Sequence, residues 1–379
     1  MMQLIVFSIS LLLISPVAVP IVPTQLKSTM HSVDLTIKAE KIGVRDTKEV
    51  FKYTLENGSM KVEMTNFGGI LSRIVVPDKS GKSENVVLAL EDISDYFTKN
   101  DPSLGATVGR YANRISNASF PLDGKTIEVT KNIPPNHIHG GNIGFSKKVW
   151  DADTYSNAEE VGVKMHYISE DGEEGFPGTL DTWLTMSLTT DNKLIVKFES
   201  TTDKKTIVNL TNHSYFNLNG ITGDVREHEL KIFADSYTPT DAAQITTGEV
   251  VEVKNTPFDF RSAKSLGEKM DELGKGFDEN FVTKTKNSPD LIQIAWVKDP
   301  ESGRTMKVFS TAPGVQLYTA NGINDFAGAD GKIYQPFWAF CLEPQAWPDS
   351  PNKPNFPSAS LSPKEKYIHE IVYEFGVDK

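Results

Sequence analysis

Cysteine is almost missing from this chain, with Cys341 alone among 379 residues. A single thiol excludes an intrachain disulfide, so an exported form must rely on its core. Basic charge is also short, with 39 Lys and Arg against 50 Asp and Glu and a formal net charge of -11. That balance argues against nucleic acid and against an anionic membrane surface as partners. No run of Lys and Arg forms a phosphate-binding stripe either. Internal repeats, low-complexity blocks and long linkers are absent. Helical periodicity is scarce. Its best candidate is Ala263–Leu273, with Leu266, Met270 and Leu273 on one side and Gly267 weakening it.

Long apolar runs are lacking except at the N-terminus, from about Leu4 to Val19 and broken by Pro16. The length and small-residue end suit a secretory signal cleaved near Ala18, although no Lys or Arg precedes the run. A membrane anchor is the rival, for which the run is short. The chain therefore divides into a signal peptide over 1–20, a lead-in over 21–44 and one domain over 45–379. A secreted or luminal location follows, with the cytoplasm as the fallback. Sequons stand at Asn57, Asn117, Asn209 and Asn212. Asn57-Gly58 reads as a hairpin turn where a glycan is sterically easy, whereas the last two lie in a strand and are expected unmodified.

What is present is apolar residue in quantity, 39% of the chain, laid out in short alternating runs. Phe51-Tyr53-Leu55 turns at Asn57-Gly58 into Met60-Val62-Met64. Ala118–Leu122 turns at Asp123-Gly124 into Lys125–Thr130, and Leu194-Val196-Phe198 alternates again. Many short strands with Gly and Pro turns predict a large antiparallel β-sandwich or barrel in one domain.

Ile207–Asn219 is the most telling run. Val208, Leu210, Phe216 and Leu218 fall on one face of a predicted strand, and Asn209, Thr211, His213, Tyr215 and Asn217 on the other. The polar face either meets solvent or lines a concave site in which His213 handles protons. Four more stretches concentrate polar residues, glycine and aromatics. Gly109–Ile115 carries Arg110, Asn113 and Arg114, either a surface pair of arginines or a donor fork for ligand oxygens. Asn136–Phe145 carries His137 and His139, on the same side if extended. That spacing suggests metal, but no matching Cys or carboxylate arrangement accompanies it, so no metal is assigned. Gly276–Phe281 holds Asp278 between aromatics. Phe337–Pro348 puts Glu343 beyond Ala339 and Cys341 in an apolar strand, where a carboxylate is costly and its pKa rises toward that of a useful base.

Together these pieces resemble the aldose 1-epimerase (galactose mutarotase) family along nearly the whole chain after the lead-in. The motifs are T-N-F-G-G at Thr65–Gly69, G-R-Y-A-N-R-I, N-H-I-H-G-G-N-I-G-F and T-N-H-S-Y-F-N-L at Thr211–Leu218. T-P-F-D-F-R at Thr256–Arg261, P-G-V-Q-L-Y-T at Pro313–Thr319 and F-C-L-E-P-Q at Phe340–Gln345 follow in family order. The resemblance implies an antiparallel β-sandwich of the galactose mutarotase type, which interconverts the α and β anomers of a free aldose such as D-glucose or D-galactose. It also implies Glu343 as the base at the C1 hydroxyl and His213 as the acid at the ring oxygen, each titrating within reach of neutrality. His139 and Arg114 would donate near the ring oxygen and C1, Asp278 would accept from hydroxyls, and Asn113 and Gln316 would complete the lining. No cofactor, metal or nucleic acid is expected, nor a membrane once the leader is cleaved, and the chain would act as a monomer or weak dimer. Pro344 and Glu279 depart from the family's more common Thr and His, and Glu279 would add charge near Asp278. A secreted sugar-binding protein of the same fold without turnover is the alternative. A glycoside hydrolase using Asp278 and Glu343 is a third. A phosphosugar epimerase would need a more cationic pocket.

Overall fold

The runs that alternate in sequence are strands in the computed structural model, which describes Met1 and residues 34–378. Tyr53 and Leu55 point inward from Lys48–Glu56, and Val62 and Met64 from Lys61–Thr65, across the turn at Asn57-Gly58. These two strands lie inside a five-stranded sheet that runs in chain order from Thr36–Arg45 to Ser83–Asn85. A nine-stranded sheet begins as a meander from Asp151–Ser156 to Lys193–Thr202. The strand Tyr367–Val377 then pairs on one side with Lys193–Thr202 and on the other with Arg304–Ser310. A third sheet orders Val251–Glu252, Ser236–Thr238, Asp278–Val282, Gly314–Tyr318 and Cys341–Gln345. Every strand pairing named is antiparallel, and the sheets are open rather than closed into a barrel.

One apolar cluster takes side chains from all three sheets, among them Val62, Leu184, Phe198, Val308, Leu317, Leu342 and Tyr373. Layers stacked on a shared apolar interior make a β-sandwich. The one α-helix among the described residues is Leu266–Leu273. It starts three residues after the sequence period suggests, because Lys264–Ser265 first pairs with Glu229–Leu230. Ser265 then caps it by accepting from the Glu268 N–H, and Gly274 ends it in the left-handed conformation.

Three expectations need correction. Ile207–Asn219 is not one strand but the pieces Thr206–Ile207 and Thr211–His213 followed by isolated bridges from Phe216 to Val87 and to Phe340. Its polar side chains interrupt it by taking backbone partners of their own. Asn209 donates to the Ala112 carbonyl, Asn212 to that of Gly105, and Asn217 to those of Gly223 and Trp338. From Ile207 to Leu218 the segment is buried, so its polar face does not meet bulk solvent. The sheet begins at Thr36, inside the segment set aside as a lead-in, and pairs with Lys48–Glu56. That edge strand is mostly exposed, and its short alternation, Ile37 and Ala39 then Ile42 and Val44, changes phase at the bulge between Lys41 and Gly43. Asn57 is buried, with its amide donating to Thr189 and Asn192 and accepting from Ser59 and Met60. A glycan there would replace one Nδ2 hydrogen and so remove at least one of the two bonds donated to Thr189 and Asn192. The leader over 1–20 lies outside the described residues. Among those described, no helix is long and apolar enough to cross a membrane.

Candidate active site

Three neighbouring strands of the third sheet set out the site by register. Asn280, Gln316 and Glu343 sit opposite one another across Asp278–Val282, Gly314–Tyr318 and Cys341–Gln345. Asp278, Tyr318 and Cys341 form the next row on the same face. Phe281, Val315, Leu317 and Leu342 point to the other face and join the core. Alternation thus delivers a carboxylate, an amide and a phenol to one concave surface. The same alternation turns Glu279 and Pro344 away from it. Glu279 accepts from the Asp278 N–H and pairs with Lys275 at 3.0 Å, while the Pro344 carbonyl faces His369. The charge that Glu279 was expected to add near Asp278 is therefore spent on the opposite face.

His213 comes from Thr211–His213, which pairs with Ala106–Val108. The Tyr215 ring stacks on its imidazole at 4.9 Å with an interplanar angle of 10°, and Tyr318 meets it edge-on. These contacts hold the imidazole with Nε2 3.6 Å from Glu343 Oε1. Both residues are nearly sealed, at 4% and 2% exposure, and Glu343 Oε2 and His213 Nδ1 have no hydrogen-bond partner.

The two arginines of Gly109–Ile115 part company. Arg110 is buried away from the site and donates to Ser169, Glu170, Pro177 and Gly178. It is a structural staple, neither surface pair nor ligand fork. Arg114 reaches the cavity, 3.9 Å from Asp278. His137 and His139 also separate, because only His137–Ile138 is extended and His139 adopts φ 51. His137 contacts the Thr130 carbonyl and the Phe176 ring, and His139 faces His213. Asn113, at φ 65, and His139 clamp each other: the His139 N–H donates to the Asn113 carbonyl and the Asn113 N–H to His139 Nδ1. Gly140 makes the turn possible, since at φ +83 a Cβ would stand 1.8 Å from the Gly109 carbonyl oxygen.

The result is a cavity of about 430 Å³ lined by Asn113, Arg114, His139, His213, Asp278 and Glu343, with further walls from Ser103, Tyr215, Gln244, Tyr318 and Asn321. Gln316 lies behind this lining and donates to Asp278 Oδ1 at 2.7 Å. Gln244 and the Ser103 and Asn321 loops carry no sequence signal. They sit in polar turns whose proximity only the fold creates.

Burial sets the protonation. Desolvation pushes the Glu343 carboxyl well above its ordinary range, with the Asp278 charge adding and Arg114 opposing. Desolvation also carries the His213 imidazole down to about 4. Burial thus favours a neutral imidazole beside a protonated carboxyl, with His213 carried away from the neutral range expected of it. Donor atoms of His139, His213 and Glu343 lie within 4.8 Å of one another, close enough to suggest a cation site. The hydrogen bond from Asn113 into His139 Nδ1 decides against that use, because it puts the ring proton on Nε2. His139 then offers its free edge as a donor, suited to a ligand oxygen.

The family model described as aldose 1-epimerase matches residues 52–374. The galactose mutarotase of Homo sapiens is 40% identical over 331 residues, 86% of this chain and 94% of that protein. The aldose 1-epimerase of Escherichia coli K12 is 33% identical over 326 residues, 84% and 93% of the two. Among solved structures, galactose 1-epimerase from Lactobacillus acidophilus matches with a TM-score of 0.80 at 28% identity. An aldose epimerase homologue from C. elegans matches with 0.78 at 30%. Each match covers 91% of this chain and 100% of the other.

Proposed function

The chain belongs to the aldose 1-epimerase family, and from that premise we propose that Glu343 is its general base and His213 its general acid on free D-glucose or D-galactose. It is an isomerase that interconverts the α and β anomers of hexoses. The observation that carries the assignment is the 3.6 Å separation of Glu343 Oε1 and His213 Nε2 in a buried, polar cavity. Ionised Glu343 takes the proton of the C1 hydroxyl while protonated His213 gives one to the ring oxygen, and the C1–ring oxygen bond breaks. Rotation about C1–C2 presents the other carbonyl face. Reversed transfers then close the ring.

The pair holds one proton before and after each half-reaction. Desolvation favours that proton on Glu343, which is the arrangement reached when the ring is open. The nearby imidazole and hydroxyls donating to the carboxylate favour the ionised pair with the ring closed. His139, Arg114 and Asn113 serve as donors to sugar oxygens, and Asp278, held by Gln316, as an acceptor. Acid, base and lining all come from one chain, which supports action as a monomer or weak dimer. The apolar run before residue 20 supports export to a secreted or luminal sugar pool.

The test is the pH dependence of mutarotation above the buffer rate from pH 6 to 10. The rate falls on the basic side as the shared proton leaves. In Asp278→Asn the fall moves to lower pH, because losing that negative charge makes Glu343 easier to ionise. A rate level to pH 10, or a fall that ignores Asp278, would contradict the shared-proton mechanism.

A further inference from the structure

We infer that Gln244 is a positioning residue of the sugar site: it holds the Arg114 guanidinium and the Asp278 carboxylate apart, so that neither is consumed by the other and both can still meet a substrate hydroxyl. This rests on the cavity being the sugar site.

Gln244 stands at the crest of the loop between Ser236–Thr238 and Val251–Glu252. The crest is closed on itself. The Asp241 carboxylate accepts from the N–H groups of Ala243 and Ile245, and the Gln244 N–H donates to the Asp241 carbonyl. Gln244 itself takes φ 58, which Gly or Asn would adopt more cheaply. The long amide is what glutamine adds at this position. Its carbonyl oxygen accepts from Arg114 Nη2, and its Nε2 donates to Asp278 Oδ2 at 2.7 Å.

The polarity of the amide suits both ends, and its effect is visible between them. Arg114 and Asp278 stand 3.9 Å apart, although a guanidinium and a carboxylate left to themselves close to a direct, often bidentate, bond. Gln316 fixes the other carboxylate oxygen from behind, so Asp278 is braced on two sides. Without Gln244, Arg114 and Asp278 would satisfy each other. A sugar would then have to break an ion pair to bind. Glu343 and His213 take no hydrogen bond from Gln244, so the loss should fall on binding rather than on proton transfer.

Gln244→Ala is compared with wild type by polarimetry and by calorimetric titration with D-galactose. Gln244→Glu, Asp278→Asn and the double variant Gln244→Ala/Asp278→Asn run alongside. The expected result is an increase of about tenfold in KM and in galactose Kd for Gln244→Ala, with kcat within about threefold, as for a lost hydrogen bond to a charged group. Gln244→Glu should be worse, since it sets a second carboxylate against Asp278. In the Asp278→Asn background, adding Gln244→Ala should change KM and Kd by less than about twofold, because Arg114 no longer has a carboxylate to close on. A wild-type KM and Kd in Gln244→Ala, a loss confined to kcat, or an equal effect in both backgrounds would overturn the inference. A wild type that binds galactose without turnover, with Kd still raised tenfold by Gln244→Ala, would keep the inference and remove the enzymatic reading instead.

Discussion

Buried histidines make the fold sensitive to mild acid, and His369→Gln isolates the effect. Burial carries the imidazoles of His213, His228 and His369 to about 4 each, and lowers His137 and His139 as well. A histidine depressed in the folded state is protonated first in the unfolded chain. Its contribution is therefore intact above pH 6.5 and drains away as the pH falls toward 4. The slope is about 1.4 kcal/mol per pH unit for each group, so His228 and His369, which lie outside the acid–base pair, each cost about 2 kcal/mol at pH 5 and together about 4. That is a large share of the roughly 5–15 kcal/mol that holds a typical fold. Glu343 and Glu279, pushed up by burial, act in the opposite sense, so a single-residue comparison is more diagnostic than the wild-type slope. His369 lies outside the cavity lining, with Nε2 on the Pro344 carbonyl at 3.2 Å and Nδ1 on Thr311 at 3.1 Å. Urea unfolding followed by tryptophan fluorescence at pH 7.5 and pH 5 gives the stability at each pH. His369→Gln should narrow the gap between the two by about 2 kcal/mol. An unchanged gap would refute the argument that burial, rather than compensation in the unfolded chain, sets this titration.

Two further predictions concern residues whose sequence context misleads. Arg110→Met should cost at least about 3 kcal/mol in the same urea assay, because it strands the buried carbonyls of Ser169 and Gly178 and the partly buried ones of Glu170 and Pro177. A loss below about 1 kcal/mol would return Arg110 to the surface role its turn suggests. Asn57→Ala should cost about 2–4 kcal/mol through the lost bonds to Thr189, Asn192, Ser59 and Met60. Asn117→Gly, at an exposed left-handed position, should change stability by less than about 1 kcal/mol. Equal costs for the two would show that the Asn57 bonds contribute nothing.

The sandwich was legible because its strands obey a period of two over five to ten residues, as in Lys193–Thr202 and Gly314–Tyr318. The same period put Glu343 on a face with Ala339 and Cys341, although its adjacency to Gln316 depends on a pairing between strands that no local pattern reveals. His213 was visible as an imidazole on a polar face. The breaks around it were not, because they come from asparagine side chains reaching distant backbone. Arg110 and Arg114 look alike in G-R-Y-A-N-R-I, yet one is sealed among carbonyls and the other opens on the cavity. Spacing gives direction within one element and nothing about what lies opposite. Gln244 shows the limit most clearly: it is a loop residue whose partners, Arg114 and Asp278, stand 130 and 34 positions away.

Polarimetry on freshly dissolved α-D-glucose and α-D-galactose, with wild type beside Glu343→Gln and His213→Asn, tests the central claim most directly. Wild type should speed the approach to anomeric equilibrium. Each variant, folded by circular dichroism, should lose at least about a hundredfold, as expected when a general acid or base is removed. Either variant retaining a rate within about tenfold of wild type would contradict the assignment of Glu343 and His213 as the base and acid that open the ring.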